Sequence, residues 1–253
     1  MPKFIKGNLP CGTTGSSPQI ECWIPEKNPT GTGLVIFPGG GYEVLSDYEG
    51  NGYARHFSEA GIACFVVSYR MGSSGFRHPA MLEDALSAIY TIRSNATQFE
   101  IDPDRLGVMG SSAGGHLAAS TLVLWGRYKS DIYLRPAFGV LCYPVITTGP
   151  DSHSGSIRNL LGENPAPSLI ELISCEKQVS TDTPPCFIWH TADDELVSVQ
   201  NSLMFASALI RHKVPVELHI YPEGKHGLGL NTPFPWANEL LRWLKSPLLN
   251  EIA

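Results

Sequence analysis

Short apolar runs alternate along this chain with longer segments in which apolar residues recur at helical spacing. The runs Gln19 to Ile24, Leu34 to Phe37, Ile62 to Tyr69, Arg105 to Met109, Phe138 to Tyr143, Cys186 to His190 and Val216 to Tyr221 read as strands. Between them, Asn51 to Ala60, Met81 to Ser94, Ala113 to Trp125, Ser198 to His212 and Pro235 to Lys245 read as helices. Ile62-Ala63-Cys64-Phe65-Val66-Val67 shows no polar alternation, as expected of a strand covered on both faces. Strands alternating with helices predict an α/β fold, a mostly parallel central sheet with helices on both faces.

One stretch breaks the rhythm. Residues 147–185 hold five prolines (Pro150, Pro165, Pro167, Pro184 and Pro185) and only short helical pieces. An irregular segment of this length in a compact domain reads as a lid-like insertion or binding loop. No composition break or linker divides the chain, so a single domain over residues 1–253 is expected. A chain of this length buries a core without staples. A net charge of −6, without a Lys/Arg run, argues against nucleic acid and against an anionic membrane as partners. No signal-like or membrane-spanning run is present, and the six cysteines (11, 22, 64, 142, 175 and 186) lack paired or metal-like spacing. These features predict a cytoplasmic protein with reduced thiols.

The candidate chemistry lies at strand ends. Gly110-Ser111-Ser112-Ala113-Gly114 follows an apolar strand and opens a helix. A serine nucleophile needs its hydroxyl presented on such a sharp turn, and glycines on either side relieve the crowding. Ser112 is the expected nucleophile.

Pro38-Gly39-Gly40-Gly41-Tyr42 follows another strand. Successive glycines let backbone N–H groups converge on one point, the geometry of an oxyanion hole. Gly40 or Gly41, with Ala113, are the expected donors. A phosphate loop is the rival reading, but no Gly-Lys-Ser/Thr follows.

The base is expected at His226, in Gly224-Lys225-His226-Gly227 after the last strand. Among the other histidines, His56 and His212 fall in helical stretches and His219 in a strand, whereas His116 lies one helical turn after Ser112. The acid comes from Asp193-Asp194-Glu195. Asp194 fits best and Asp193 is the alternative, which gives the chain order Ser, Asp, His.

Phe37-Pro38-Gly39-Gly40-Gly41-Tyr42, Gly110 to Ala118, Trp189 to Glu195 and Gly224 to Gly227 together resemble bacterial α/β-hydrolase esterases. The resemblance is to acetylxylan-esterase-like and feruloyl-esterase-like enzymes related to the hormone-sensitive-lipase branch, and extends from about Pro18 to Trp243. Tyr69-Arg70 and the segment containing Asp84 share it. Pro38 stands where the lipase branch usually has His, and Ser198 where many relatives have Pro.

The resemblance implies that Ser112, Asp194 and His226 act as a triad and Gly40, Gly41 and Ala113 as oxyanion donors. It implies no metal or organic cofactor, and removal of acetyl groups from xylo-oligosaccharides or another small ester. A general short-chain carboxylesterase, a feruloyl esterase or a formamidase are the alternatives, with a catalytically silent binding protein more remote. Tyr42 and Phe76 are expected to offer aromatic faces to substrate, with Trp236 a further aromatic. The sequence does not set an oligomeric state.

Overall fold

The computed structural model describes residues 3–8 and 18–246. Its centre is an eight-stranded sheet in the order β1-β2-β4-β3-β5-β6-β7-β8. The strands are β1 (Lys3–Asn8), β2 (Gln19–Ile24), β3 (Gly33–Phe37), β4 (Ala63–Ser68), β5 (Leu106–Ser111), β6 (Gly139–Cys142), β7 (Cys186–Thr191) and β8 (Val216–Tyr221). The pairs β1–β2 and β2–β4 are antiparallel, and every pair from β4 to β8 is parallel. Seven strands coincide with the apolar runs, and β1 was not anticipated.

The helices are α1 (Asp47–Glu59), α2 (Ala80–Ser94), α3 (Ser112–Leu124), α4 (Ser154–Leu161), α5 (Pro167–Ile173), α6 (Gln200–Arg211) and α7 (Trp236–Trp243). They cover both faces because strand side chains alternate in direction. Val35, Phe37, Phe65, Val67, Val108, Leu141 and Ile188 point to one side, where Met81, Ile89, Leu117, Leu122 and Phe205 pack on them. Leu34, Ile36, Cys64, Val66, Met109, Val140, Phe187 and Trp189 point to the other, against Tyr53 and Phe57 of α1 and Trp236, Leu240 and Trp243 of α7. Cys22, Cys64, Cys142, Cys175 and Cys186 are free and buried, whereas Cys11 lies outside the described residues. Among the described residues no helix is long and apolar enough to cross a membrane.

The insertion at 147–185 is anchored at its entry and over its helices. Asn201 of α6 accepts from the N–H groups of Ile146 and Thr147 at 2.9 and 3.1 Å. Asn159 of α4 donates to the carbonyl of Gly41 at 2.9 Å.

The strand order reverses beside β3, with β4 on one flank and β5 on the other. In open parallel sheets the crevice at such a switch point, at the carboxyl ends of the strands, is where sites form. The loops after β3, β5, β7 and β8 all emerge at that end.

A buried ion pair closes the β4–α2 connection. Arg70 donates from its backbone N–H and its guanidinium to Asp84, at 2.8 and 2.7–3.0 Å, and both side chains are almost wholly buried. Removing the Asp84 charge leaves the buried guanidinium with the Ala80 carbonyl and, at 3.4 Å, the more exposed Glu83. Asp84→Asn is therefore expected to cost about 3–5 kcal/mol in urea unfolding. A loss below about 1 kcal/mol, the range of exposed pairs, would show the guanidinium rehydrated instead.

Candidate active site

The turn from β5 into α3 is tight. Ser112 takes φ +53°, a left-handed conformation that L side chains rarely adopt. A Cβ on Gly110 would lie 2.0 Å from the Gly114 carbonyl oxygen, and one on Gly114 would lie 2.1 Å from that of Phe37. Neither position accommodates a side chain, so the start of α3 packs backbone-to-backbone on the end of β3.

The loop after β3 runs beside this turn. Gly40 has φ +123°, and a side chain there would collide with the carbonyl of Val44. Among the described residues the N–H groups of Gly40 and Gly41 donate to no protein acceptor. The N–H of Ala113, in the first turn of α3, has no partner within its helix.

Three side chains meet at the end of the sheet. Ser112 Oγ donates to His226 Nε2 at 2.8 Å, and His226 Nδ1 donates to Asp194 Oδ2 at 2.6 Å. Of the three neighbouring acids, Asp194 is buried and makes this contact. Asp193 is exposed and instead accepts from the N–H of Gly224 at 2.6 Å, which steadies the histidine loop. Glu195 is exposed.

Burial raises the Asp194 carboxyl pKa. Hydrogen bonds from His190 and His226, and from the Val197 N–H, outweigh it and hold the group well below the usual carboxylate range. His190 Nε2 donates to both Asp194 Oδ2 (3.2 Å) and the Val197 carbonyl (2.9 Å), while its Nδ1 accepts from Ser202 (2.8 Å). Sequence reading did not single out His190, because it lies inside an apolar strand.

Of the aromatics expected to meet substrate, Tyr42 is turned inward. Tyr42 is only 1% exposed, with its hydroxyl on His116 Nδ1 at 2.9 Å, so its ring has no face free for a sugar. Phe76 is half-buried under the guanidinium of Arg70, 5.3 Å from the ring centroid. Trp236 is also buried, stacked on Trp189.

The insertion brings in a histidine that sequence reading passed over. His153 Nδ1 accepts from the Ser156 hydroxyl (2.8 Å) and N–H (3.3 Å), which places the ring proton on Nε2. Partial burial lowers its pKa, and so does the nearby His226. Beside His226 opens a cavity of about 470 Å³ lined by Asp193, Glu195, Leu196, Lys225 and His226. Leu196, Val44 and Tyr48 are exposed apolar residues on the loops of the site. Among the described residues no group of three His, Cys, Asp or Glu is arranged to hold a metal ion.

A family model described as alpha/beta hydrolase fold matches residues 34–230. The chain belongs to the α/β-hydrolase family. It is 39% identical over 222 residues to an endo-1,4-beta-xylanase B of Butyrivibrio fibrisolvens, covering 85% of this chain and 35% of that protein. It is 37% identical over 238 residues to an acetylxylan esterase of Xylanibacter ruminicola, covering 90% of this chain and 48% of that one. The chain thus spans less than half the length of these two curated relatives. The crystal structure of an acetyl ester-xyloside bifunctional hydrolase from Caldicellulosiruptor lactoaceticus superposes with a TM-score of 0.87 at 39% identity, covering 95% of this chain and 93% of that one. A carboxylesterase of Lactobacillus plantarum gives a TM-score of 0.83 at 26% identity, with 98% of each chain covered.

His116 joins this α/β-hydrolase site to the insertion. Its Nε2 donates to the carbonyl of Ile173 at 2.9 Å, so Nδ1 is the acceptor for Tyr42. Burial lowers its pKa from 6.5 to about 4. Between those values the unfolded chain binds a proton that the folded chain does not, so acid favours unfolding. The expected loss from this residue is about 3 kcal/mol between about pH 6.5 and 4. Urea unfolding from about pH 7 to 4 measures it, and His116→Gln is expected to flatten the slope. An unchanged slope in the variant would assign the loss to other groups.

Proposed function

We propose that this chain is a serine esterase that removes short acyl groups, acetyl foremost, from neutral sugar alcohols such as xylo-oligosaccharides. The observation that carries the reading is the continuous hydrogen-bonded line Ser112–His226–Asp194, starting at a positive-φ serine beside two unpartnered glycine N–H groups.

The chemistry is acyl transfer. His226 Nε2 takes the Ser112 proton as Oγ attacks the ester carbonyl, while Asp194 keeps the ring's other proton on Nδ1. The N–H groups of Gly40 or Gly41 and of Ala113 receive the oxyanion, each worth about 3–4 kcal/mol to the transition state. As the intermediate collapses, His226 returns the proton to the departing alkoxide. Water then attacks the acyl-serine, His226 takes its proton, and the acid leaves as Ser112 regains its hydrogen.

The leaving alcohol lies on the side of His226, where the 470 Å³ cavity opens. Its lining supplies carboxylates that accept from hydroxyls, an ammonium that donates, and Leu196 for the C–H face of a ring. That mixture suits a neutral polyol. The similarity to an acetylxylan esterase and to an acetyl ester-xyloside hydrolase supports the same class. A general short-chain carboxylesterase is the second reading, favoured by the exposed apolar Val44, Tyr48 and Leu196 and by the Lactobacillus neighbour.

Hydrolysis of 4-nitrophenyl acetate, butyrate and octanoate, run beside acetate release from acetylated xylo-oligosaccharides, separates the two. Preference for acetate with release from the oligosaccharide supports the first; equal rates on longer acyl chains without that release support the second. Ser112→Ala is expected to abolish turnover, and retained turnover would refute the mechanism. Asp194→Asn is expected to cost roughly a thousandfold to ten-thousandfold in kcat, with a far smaller loss for Asp193→Asn. Lys225→Ala and Glu195→Ala are expected to raise KM for the oligosaccharide while leaving 4-nitrophenyl acetate untouched. Equal effects on both substrates would place the alcohol elsewhere.

A further inference from the structure

The mechanism above leaves two buried acids unused, Asp84, which pairs with Arg70, and Glu49. Glu49, in the first turn of α1, is only 2% exposed although its neighbour Asp47 faces solvent. Burying a carboxylate is costly unless it is hydrogen-bonded. Glu49 is: Oε2 accepts from the N–H of Gly39 at 2.9 Å, and Oε1 from the hydroxyl of Tyr143 at 2.6 Å.

Both donors belong to the site. Gly39 precedes the two glycines with free N–H groups. A Cβ on it would lie 2.4 Å from Glu49 Oε2, 2.9 Å from the Ser111 carbonyl and 3.1 Å from Ser112 Cβ. Gly39 is therefore wedged between Glu49 and the serine turn, and the bond to Glu49 sets where the next two N–H groups point. Tyr143 lies with its ring edge-on to His226, centroids 5.1 Å apart, and its hydroxyl accepts from the N–H of Gly229 at 3.2 Å. One carboxylate thus holds the loop of the oxyanion donors and braces the loop of the histidine.

The network has a direction. Ser111 Oγ donates to the Tyr53 hydroxyl at 3.2 Å, which lies 3.1 Å from that of Tyr143. Tyr143 has one proton and gives it to Glu49, so Tyr53 must donate to Tyr143. The line Ser111, Tyr53, Tyr143 ends on the carboxylate as acceptor. Burial raises the Glu49 pKa, and the bonds from Tyr143 and Gly39 and the neighbouring His226 oppose that rise by favouring the ionised form.

We propose that Glu49 is a positioning residue for the esterase step, fixing the oxyanion loop through Gly39 and placing a second negative charge behind His226. This rests on the assignment of Ser112 and His226 as nucleophile and base. The titratable groups around the carboxylate are Tyr48 and Tyr53 of α1, Tyr69 after β4, Cys142 at the end of β6, Tyr143 after it and His226 after β8. His226 alone gains a positive charge, and it does so as the serine attacks. An interaction that strengthens only then acts on kcat and not on ground-state binding.

The experiment is steady-state hydrolysis of 4-nitrophenyl acetate by wild type, Glu49→Gln, Tyr143→Phe and Ser112→Ala, with folding followed by circular dichroism. Glu49→Gln keeps size and removes charge. It is expected to lower kcat by roughly tenfold to a hundredfold, with KM within about twofold of wild type. Tyr143→Phe is expected to lower kcat in the same sense, and it decides the matter by the same criterion if Glu49→Gln does not fold. A folded variant with wild-type kcat, or a loss that falls on KM, overturns the role of Glu49. Activity in Ser112→Ala overturns the nucleophile assignment instead.

Discussion

The geometry of the site depends on one contact made without side chains. The first turn of α3 lies against the carbonyls of Phe37 and Pro38 at Gly114, where a Cβ would come within 2.1 Å of one oxygen and 2.5 Å of the other. This closeness puts the loop after β3 beside the serine. A methyl group at Gly114 would separate β3 from α3, and the damage would reach both Ser112 and the loop of Gly40 and Gly41. The positive φ of Ser112 is held by this packing and by the bond from the Val145 N–H to the Ser112 carbonyl at 3.0 Å.

The residues that form the hydrogen-bonded line were legible in sequence because each needs a backbone setting that leaves a mark. A serine on a sharp turn needs small neighbours, so Gly110 and Gly114 announce it. A loop of convergent N–H groups needs glycines, so Gly39 to Gly41 announce that. The choice between Asp193 and Asp194 left no such mark, since both follow the same strand; burial of one and exposure of the other separate them.

Glu49, His153 and His190 were not legible. Glu49 sits in a polar stretch, Asp47-Tyr48-Glu49, that reads as a solvated helix start, and its burial comes from partners more than ninety residues distant in Tyr143 and ten in Gly39. Tyr42 misled in the opposite sense. An aromatic beside a glycine loop suggests a binding face, yet its hydroxyl finds the imidazole of His116 and the ring turns inward. Strand β1 went unseen for a plainer reason: Lys3-Phe4-Ile5-Lys6-Gly7-Asn8 is too polar to read as an apolar run, and an edge strand needs only one partner.

Asp194 is held by more than the histidine it serves. Its Oδ1 accepts from the N–H groups of Leu196 and Val197, both at 3.0 Å, and its Oδ2 contacts His190 from the preceding strand. All these partners come from one continuous segment, residues 190–197. The acid is therefore a self-contained fixture, set in place by its own stretch of chain whether or not an imidazole arrives from β8. The loop that brings His226 therefore meets a stationary oxygen, and a change in that loop would move the imidazole without moving the acid.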